Sequence, residues 1–274
     1  MKKYKIWYEG QAPFGGENIR DTTERTDNPN DGWEEWSSPI GNGYMGINVF
    51  GRTYTERLQI TENSLFNPMN LGGCNNFCEL YLDFGHGYGQ KYKRCLDLDR
   101  AVAEVQYDYD GVTYNRVHFA SYPDKVFVTK LTSSVPGKLS FAVRPTVPYN
   151  QLCTYKAGDD AGKSGNVISA DDRLILHGHM RYYNIEFEGQ FKVINKGGTL
   201  LNQDGMIFCE NADEALLIVA VGTNYKLESR VFLEEDRLKK LAPYASPHDK
   251  VTKILDDACK KSYDELYARH EEDY

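Results

Sequence analysis

Residues 33–68 read WEEWSSPIGNGYMGINVFGRTYTERLQITENSLFNP. Proline and glycine crowd into Pro39-Ile40-Gly41-Asn42-Gly43. Gly41, Asn42 and Gly43 can each take positive φ, so the backbone can fold tightly there. The sequence predicts a strand over 45–50 and a second over 56–61, closing on Glu62-Asn63-Ser64-Leu65-Phe66. A tight turn feeding two short strands is the beginning of an antiparallel sheet.

Period-2 alternation, the pattern of a half-buried strand, carries on down the chain. Residues 102–109 and 112–122 flank Asp110-Gly111, a pair suited to a type I′ hairpin turn because both central positions need positive φ. Strands are expected over 126–133 and, after Pro136-Gly137, over 138–145, the four forming a meander. Further strands are expected over 174–179, 183–195, 199–201, 205–210 and 215–222. Residues 155–165 form the most polar loop and are expected at the surface. Many short strands with Gly, Asp or Asn between them indicate an all-β sandwich.

The tail changes character near Tyr225. Ser246-Pro247 reads as an N-cap followed by proline at the first helical position. Val251, Ile254, Leu255, Ala258, Ser262 and Leu266 then recur at helical spacing, and 234–241 reads as a shorter helix. The expected fold is therefore mostly β: a large antiparallel β-sandwich over 1–225, followed by a C-terminal helical linker over 226–274. The apolar face of the last helix implies a partner surface outside the sandwich.

The chain has 274 residues, 41% of them hydrophobic, enough for a sizeable core. A net charge of −8 argues against nucleic acid, whose phosphates require a lysine and arginine excess. Neutral sugars are compatible with that charge. The 20 Tyr, 12 Phe and 3 Trp could stack on sugar faces, although strands and β cores also favour aromatics. Six scattered cysteines without a CxxC read as free thiols, and Cys74 and Cys78 have no second pair at metal-ligand spacing. No cofactor is expected. No run approaches the ~18 apolar residues of a membrane span. Met1-Lys2-Lys3 leads into no apolar segment, so the chain as written reads as cytoplasmic, or as exported if a signal peptide was removed ahead of it.

Candidate chemistry is sparse. Residues 157–164 (AGDDAGKS) satisfy a loose phosphate-loop spelling, but Asp159 and Asp160 would repel a triphosphate and strand-like Val167-Ile168 follows instead of a helix. His177 and His179 lie two apart on a strand and so share a face, which is legal metal geometry, yet no third ligand can be named and half-buried histidines serve as well. Asp97 and Asp99, Asp108 and Asp110, Asp171 and Asp172, and Glu34 and Glu35 supply carboxylate pairs. A pair of strand acids on a solvated face explains them without the ~6.5–9.5 Å cleft an inverting glycosidase needs.

Taken together, the motifs resemble the N-terminal domain of glycoside hydrolase family 95, the α-L-fucosidase and α-L-galactosidase family. Residues 39–50 and 56–66 are similar to its LPIGNGRLGAMVFGG and ERIQLNEDTLWSG. YLDFGH (81–86), YKRCLDL (92–98), DGVTYNR (110–116), FASYPD (119–124), ADEA (212–215) and HEEDY (270–274) match further family segments in order. The resemblance covers nearly the whole chain. It departs at Phe66-Asn67, where the family has Trp-Ser, and in the short segment 69–77, where many members carry a helical insertion.

The resemblance implies a β domain, a linker, an (α/α)6 barrel and a C-terminal β domain, with the acid and base residues in the barrel. No catalytic residue and no metal site is then expected in this chain, and further polypeptide is expected beyond Tyr274. The implied partners are that barrel and, for the parent, a glycan ending in α-L-fucose or α-L-galactose. Asn42, Gly43, Glu62 and Asn63 are the candidate substrate-side loop: either a corner whose Asn side chains tie the backbone, or a wall of the sugar site. Two competing roles are a self-sufficient carbohydrate-binding module, which would show an exposed aromatic platform, and a purely structural interaction domain.

Overall fold

A computed structural model describes residues 4–12, 36–67, 73–148 and 163–274. Two antiparallel sheets pack face to face, and helices cover the outer face of the larger one. The strands are β1 (Lys5–Tyr8), β2 (Ser38–Gly41), β3 (Met45–Val49), β4 (Thr55–Asn67), β5 (Gly73–Asp83), β6 (Gln90–Asp97), β7 (Val102–Tyr109) and β8 (Val112–Ser121). They continue as β9 (Val126–Ser133), β10 (Leu139–Thr146), β11 (Lys163–Ala170), β12 (Arg173–Met180), β13 (Ile185–Lys196), β14 (Thr199–Gln203), β15 (Met206–Ala212) and β16 (Glu214–Thr223). Helices α1 (Ser229–Leu233), α2 (His248–Cys259) and α3 (Tyr263–Asp273) follow. The nine-stranded sheet runs β1-β6-β7-β8-β9-β16-β13-β12-β11, and the seven-stranded sheet β14-β15-β10-β5-β4-β3-β2. The chain is thus the mostly β sandwich with C-terminal helices that the alternation predicted.

Local turn chemistry explains the connections. Asp110 and Gly111 sit at φ +50° and +75°, as a type I′ turn between β7 and β8 requires. The meander, however, stops at β9. After Pro136-Gly137 the chain crosses to the other sheet, where β10 pairs with β5 and β15. Strand β16 returns to the middle of the larger sheet, between β9 and β13. Its run ALLIVAV lacks alternation because both faces are covered. Leu217, Val219 and Val221 enter the core between the sheets, while Ile218 and Ala220 meet the helices. Strand β4 extends past residue 61 to Asn67 through irregular pairing with β5.

The core also holds charge. Arg57 donates to Glu79 from Nε at 2.7 Å and from Nη2 at 3.1 Å, with both side chains essentially fully buried. Arg116 Nη1 lies 3.1 Å from Glu56, also buried. Pairing of this kind is the condition for burying ions at all, since an unpaired interior charge is far costlier.

Three features of the tail differ from expectation. Residues 234–241 are turns, and α1 precedes them. Asp236 Oδ1 accepts from Leu238 N at 3.1 Å, and the buried Lys240 Nζ takes the carbonyls of Val231 (2.6 Å) and Glu234 (2.5 Å). Such side-chain bonds to the backbone compete with helix. The terminal helix is two helices, because Ser262 caps α3 in a reciprocal capping box with Glu265. The apolar face does not await a separate partner either. Val251, Leu255, Ala258 and Leu266 are buried against Val102, Phe119, Val126, Val128, Ile218 and Ala220 of the larger sheet. At roughly 1.5–3 kcal/mol per fully buried large aliphatic side chain, this layer fastens the helices to the sandwich.

Candidate functional site

The structure brings Asn42, Gly43, Glu62 and Asn63 together at one corner of the seven-stranded sheet, where β3 and β4 pair Met45 with Glu62. Asn42 Oδ1 accepts from the backbone N–H of Tyr44 (3.0 Å) and Met45 (2.8 Å), the self-capping turn that Asn favours. Its Nδ2 donates to Ser121 O at 2.9 Å and so ties the corner to β8 of the other sheet. Only Gly43 uses positive φ, at +77°. At Gly41 space is the constraint instead: a Cβ there would lie 3.0 Å from Met45 O, a tight contact. Asn63 closes the corner, its Nδ2 donating to Gly43 O (3.0 Å) and its N–H to Tyr44 O (3.1 Å).

Glu62 is 1% exposed. It accepts from the N–H groups of Ser64 (2.9 Å) and Leu65 (3.0 Å) and from Ser64 Oγ at 2.7 Å. Ser64 Oγ lies 2.5 Å from Thr223 Oγ1, which accepts Tyr225 N–H at 3.1 Å. Because the Ser64 proton goes to the carboxylate, Thr223 donates to Ser64, giving a directed chain from β16 to β4. Burial pushes the Glu62 carboxyl up, while the Ser64 hydrogen bonds and Lys250 pull the other way. Burial, then the Glu62 charge, raises the Tyr44 phenol, whose hydroxyl donates to Val221 O at 2.8 Å. Burial lowers the Lys250 ammonium, against the attraction of Glu62. Glu62 is enclosed and its acceptor capacity is spent on its own loop. Chemically the cluster is a rigid corner, with the Asn63 side chain and Gly43 facing solvent. Beyond it, Phe66 meets Tyr225 and Tyr183 edge to face, at centroid distances of 5.0 and 6.0 Å.

Ser64, Thr223, Tyr44 and Lys250 were not legible as members of this corner. Thr223 and Lys250 come from β16 and α2, far off in sequence.

The other candidates resolve into structural roles. Lys163 of the phosphate-loop spelling lies on β11, is buried and donates to Asn76 O; residues 157–162 lie outside the described residues. Asp97 is buried between Lys5 (2.8 Å) and Arg100 (2.7 Å), whereas Asp99 sits in the following turn and accepts Tyr4 N–H. Asp108 pairs with Lys91 at 2.8 Å, and Asp172 pairs with Arg173 and Lys192. Asp110 and Asp171 occupy positive-φ turn positions, and Glu34 and Glu35 lie outside the described residues. Cys78, Cys95, Cys209 and Cys259 are free thiols. Among the described residues, no three His, Cys, Asp or Glu side chains are grouped to hold a metal, and no helix is long and apolar enough to cross a membrane.

His177 and His179 do share the outer face of β12. His177 Nδ1 donates to Glu188 Oε2 at 3.0 Å, and His248 at the start of α2 donates to the same carboxylate at 3.0 Å. Glu188 itself is 1% exposed and also accepts from Gln190 Nε2 at 2.6 Å.

A family model described as Glycosyl hydrolase family 65, N-terminal domain, matches residues 67–228, more than half of the chain. The Alpha-L-fucosidase 2 of Arabidopsis thaliana is 25% identical over 299 aligned residues, covering 90% of this chain and 34% of that protein. The Probable alpha-fucosidase A of Aspergillus niger is 28% identical over 190 residues, covering 67% of this chain and 22% of that protein. The chain therefore spans about a third or less of these curated relatives. A solved structure assigned as a kojibiose phosphorylase, from the human microbiome, superposes with a TM-score of 0.53 over 93% of this chain and 38% of that one. At 11% identity that likeness shows the fold alone.

Proposed function

The chain belongs to the family of glycosyl hydrolase N-terminal domains described for family 65, and from that premise we propose that it is the non-catalytic N-terminal domain of a family 95-like exo-glycosidase. The parent removes terminal α-L-fucosyl or α-L-galactosyl units with inversion. A carboxylic acid protonates the leaving oxygen while a carboxylate base activates water on the opposite face of the sugar. Both residues belong to a barrel outside this chain. The observation that carries the reading is the family match over 67–228, joined to two relatives named as fucosidases.

In this role the sandwich and its helices buttress the barrel. The Asn42-Gly43 and Glu62-Asn63 corner is the part that walls the sugar site. What supports this is its rigidity: the side chains of Asn42 and Glu62 accept the backbone N–H groups of Tyr44, Met45, Ser64 and Leu65, and Asn42 Nδ2 ties the corner to Ser121. A wall fixed in this way orients a substrate without taking part in the chemistry.

Two proteins test the reading: the 274-residue chain alone, and a longer polypeptide that continues it. The chain alone should leave an aryl α-L-fucoside intact. The longer protein should hydrolyse it, or its α-L-galactoside counterpart, and release the β-anomer first, visible by NMR. Turnover by the short chain, or inactivity of the long one on both glycosides, overturns the proposal.

A further inference from the structure

Strand register builds an unassigned feature on the outer face of the nine-stranded sheet. On β11, β12 and β13, Asn166 pairs with His177 and His177 with Glu188; two residues along, Ser164 pairs with His179 and His179 with Glu186. Alternate residues on a strand share a face, so these six side chains form a polar array two rows deep and three strands wide. It measures roughly 10 by 7 Å from the usual strand spacing and rise.

Helix α2 explains why the array is open among the described residues. Its polar stripe steps along the sheet in register: His248 to Glu188, Thr252 Oγ1 to Gln190 Nε2 at 2.7 Å, and Asp256 Oδ1 to Arg173 Nη2 at 2.9 Å. Four helical residues rise about 6 Å, close to the roughly 6.8 Å of two strand residues, so the two ladders match. The helix begins at the Glu188 row. It covers the rows beyond and leaves the Ser164–His179–Glu186 row outside. The result is a cleft of about 360 Å³ bounded by Ser246 and Pro247, within the range of small-ligand sites.

The groups in the cleft define the ligand class. His177 donates Nδ1–H to the buried Glu188 carboxylate, so its Nε2 is left as an oriented acceptor. His179 donates Nε2–H to Asn184 Oδ1 at 2.6 Å, which leaves its Nδ1 as acceptor. Among the described residues, the side chains of Ser164, Asn166 and Glu186 make no hydrogen bond or ion pair, so their donors and acceptors stand open. Among the described residues, no lysine or arginine lines the cleft to hold an anion, and no exposed large apolar side chain lines it to hold a hydrophobic molecule.

We propose that this cleft binds a neutral pyranose through its hydroxyl groups, a carbohydrate subsite on the domain itself. The inference rests on the glycosidase reading above but goes beyond it, since that reading requires no sugar contact by this face. Closely spaced hydroxyls on a rigid ring suit an array of fixed acceptors interleaved with amide and hydroxyl donors.

The test is an NMR titration of the 274-residue chain with methyl α-L-fucopyranoside, methyl α-D-glucopyranoside and inorganic phosphate, following the His177 and His179 ring resonances. Asn166→Ala and His179→Ala, checked for unchanged thermal midpoints, are titrated alongside. At least one glycoside should shift both rings, phosphate should not, and each variant should weaken that glycoside tenfold or more. Binding of the glucoside alone sustains the subsite and leaves the parent's sugar to the hydrolysis assay above. Fucoside shifts confined to the Asn42 and Asn63 corner overturn the subsite and leave the parent's assignment standing. Silence toward every sugar, a phosphate response equal to the glycosides', or binding unaffected by both substitutions also overturns it.

Discussion

Replacing His86 with Phe should make the stability of the domain less sensitive to acid. His86 is 8% exposed, stacks on Tyr109 at 4.7 Å and lies 2.9 Å from the Tyr107 hydroxyl through Nδ1. Burial, helped by the nearby Arg116 charge, pulls its imidazole down to about 4 from the ordinary 6.5. The folded protein therefore keeps His86 neutral where the unfolded chain protonates it. The stability this confers is complete above pH 6.5 and is lost as pH falls toward 4. At 1.36 kcal/mol per unit, the 2.5 units between those values amount to at most about 3 kcal/mol. Phe keeps the stack but leaves the buried Tyr107 hydroxyl without its partner, a cost of about 1–3 kcal/mol that does not depend on pH. The variant should thus be less stable than the native protein at pH 7 and should draw level with it, or overtake it, near pH 4. Urea unfolding at both pH values measures the difference. His118, also lowered by burial, is present in both proteins and cancels. A stability difference that is the same at pH 7 and pH 4 would refute the reasoning, because it would mean His86 is not held neutral by the fold.

Three further outcomes are expected. Glu79→Ala, which leaves the buried Arg57 facing no Glu79 carboxylate, should cost about 3–5 kcal/mol, whereas Arg57→Leu combined with Glu79→Leu should recover most of it; equal losses in the single and double variants would contradict the pairing. Leu255→Ala should cost about 2–5 kcal/mol in chemical denaturation and speed amide exchange across α2, and a loss under half a kcal/mol would mean the helix is not bound to the sheet. Asn42→Ala removes acceptors for two backbone N–H groups and the link to Ser121, so unfolding should be easier by about 1–3 kcal/mol; native-like stability would show that the corner does not depend on that side chain.

The corner and the sheet face were legible to different degrees. The two glycines and one asparagine of 41–43 marked a turn, and the turn is there, because Asn42 bonds to N–H groups only two and three residues away. That chemistry is local and so can be read from a short segment. Of the three residues that can take positive φ only Gly43 does, and at Gly41 the close approach of Met45 O is the constraint instead. The Ser262 capping box was equally local but was masked by apolar residues that kept helical spacing across the break. His177 and His179 were placed on one face by spacing alone. Glu188, which organises the cleft, carried no signal because its partners come from β12 and α2, the second of them 60 residues from Glu188.

What the sequence determined by itself was most of the strands, though not β1, β2, β5, β6 or β11, together with several turns and the motif order that points to a glycosidase N-terminal domain. Each of these depends on side-chain period or on neighbours a few residues away. What only the tertiary structure decided was where β10 leaves the meander, why β16 is apolar on both faces, and that α2 spends its apolar stripe on the sheet beneath it. Apolar burial has no direction and fixes no partner, so an amphipathic helix announces that it will be covered without saying by what. The register of β11, β12 and β13, and the point at which α2 begins, turned six scattered polar residues into one surface. That outcome belongs to the three-dimensional match between a helix step and a strand step, which no single segment contains.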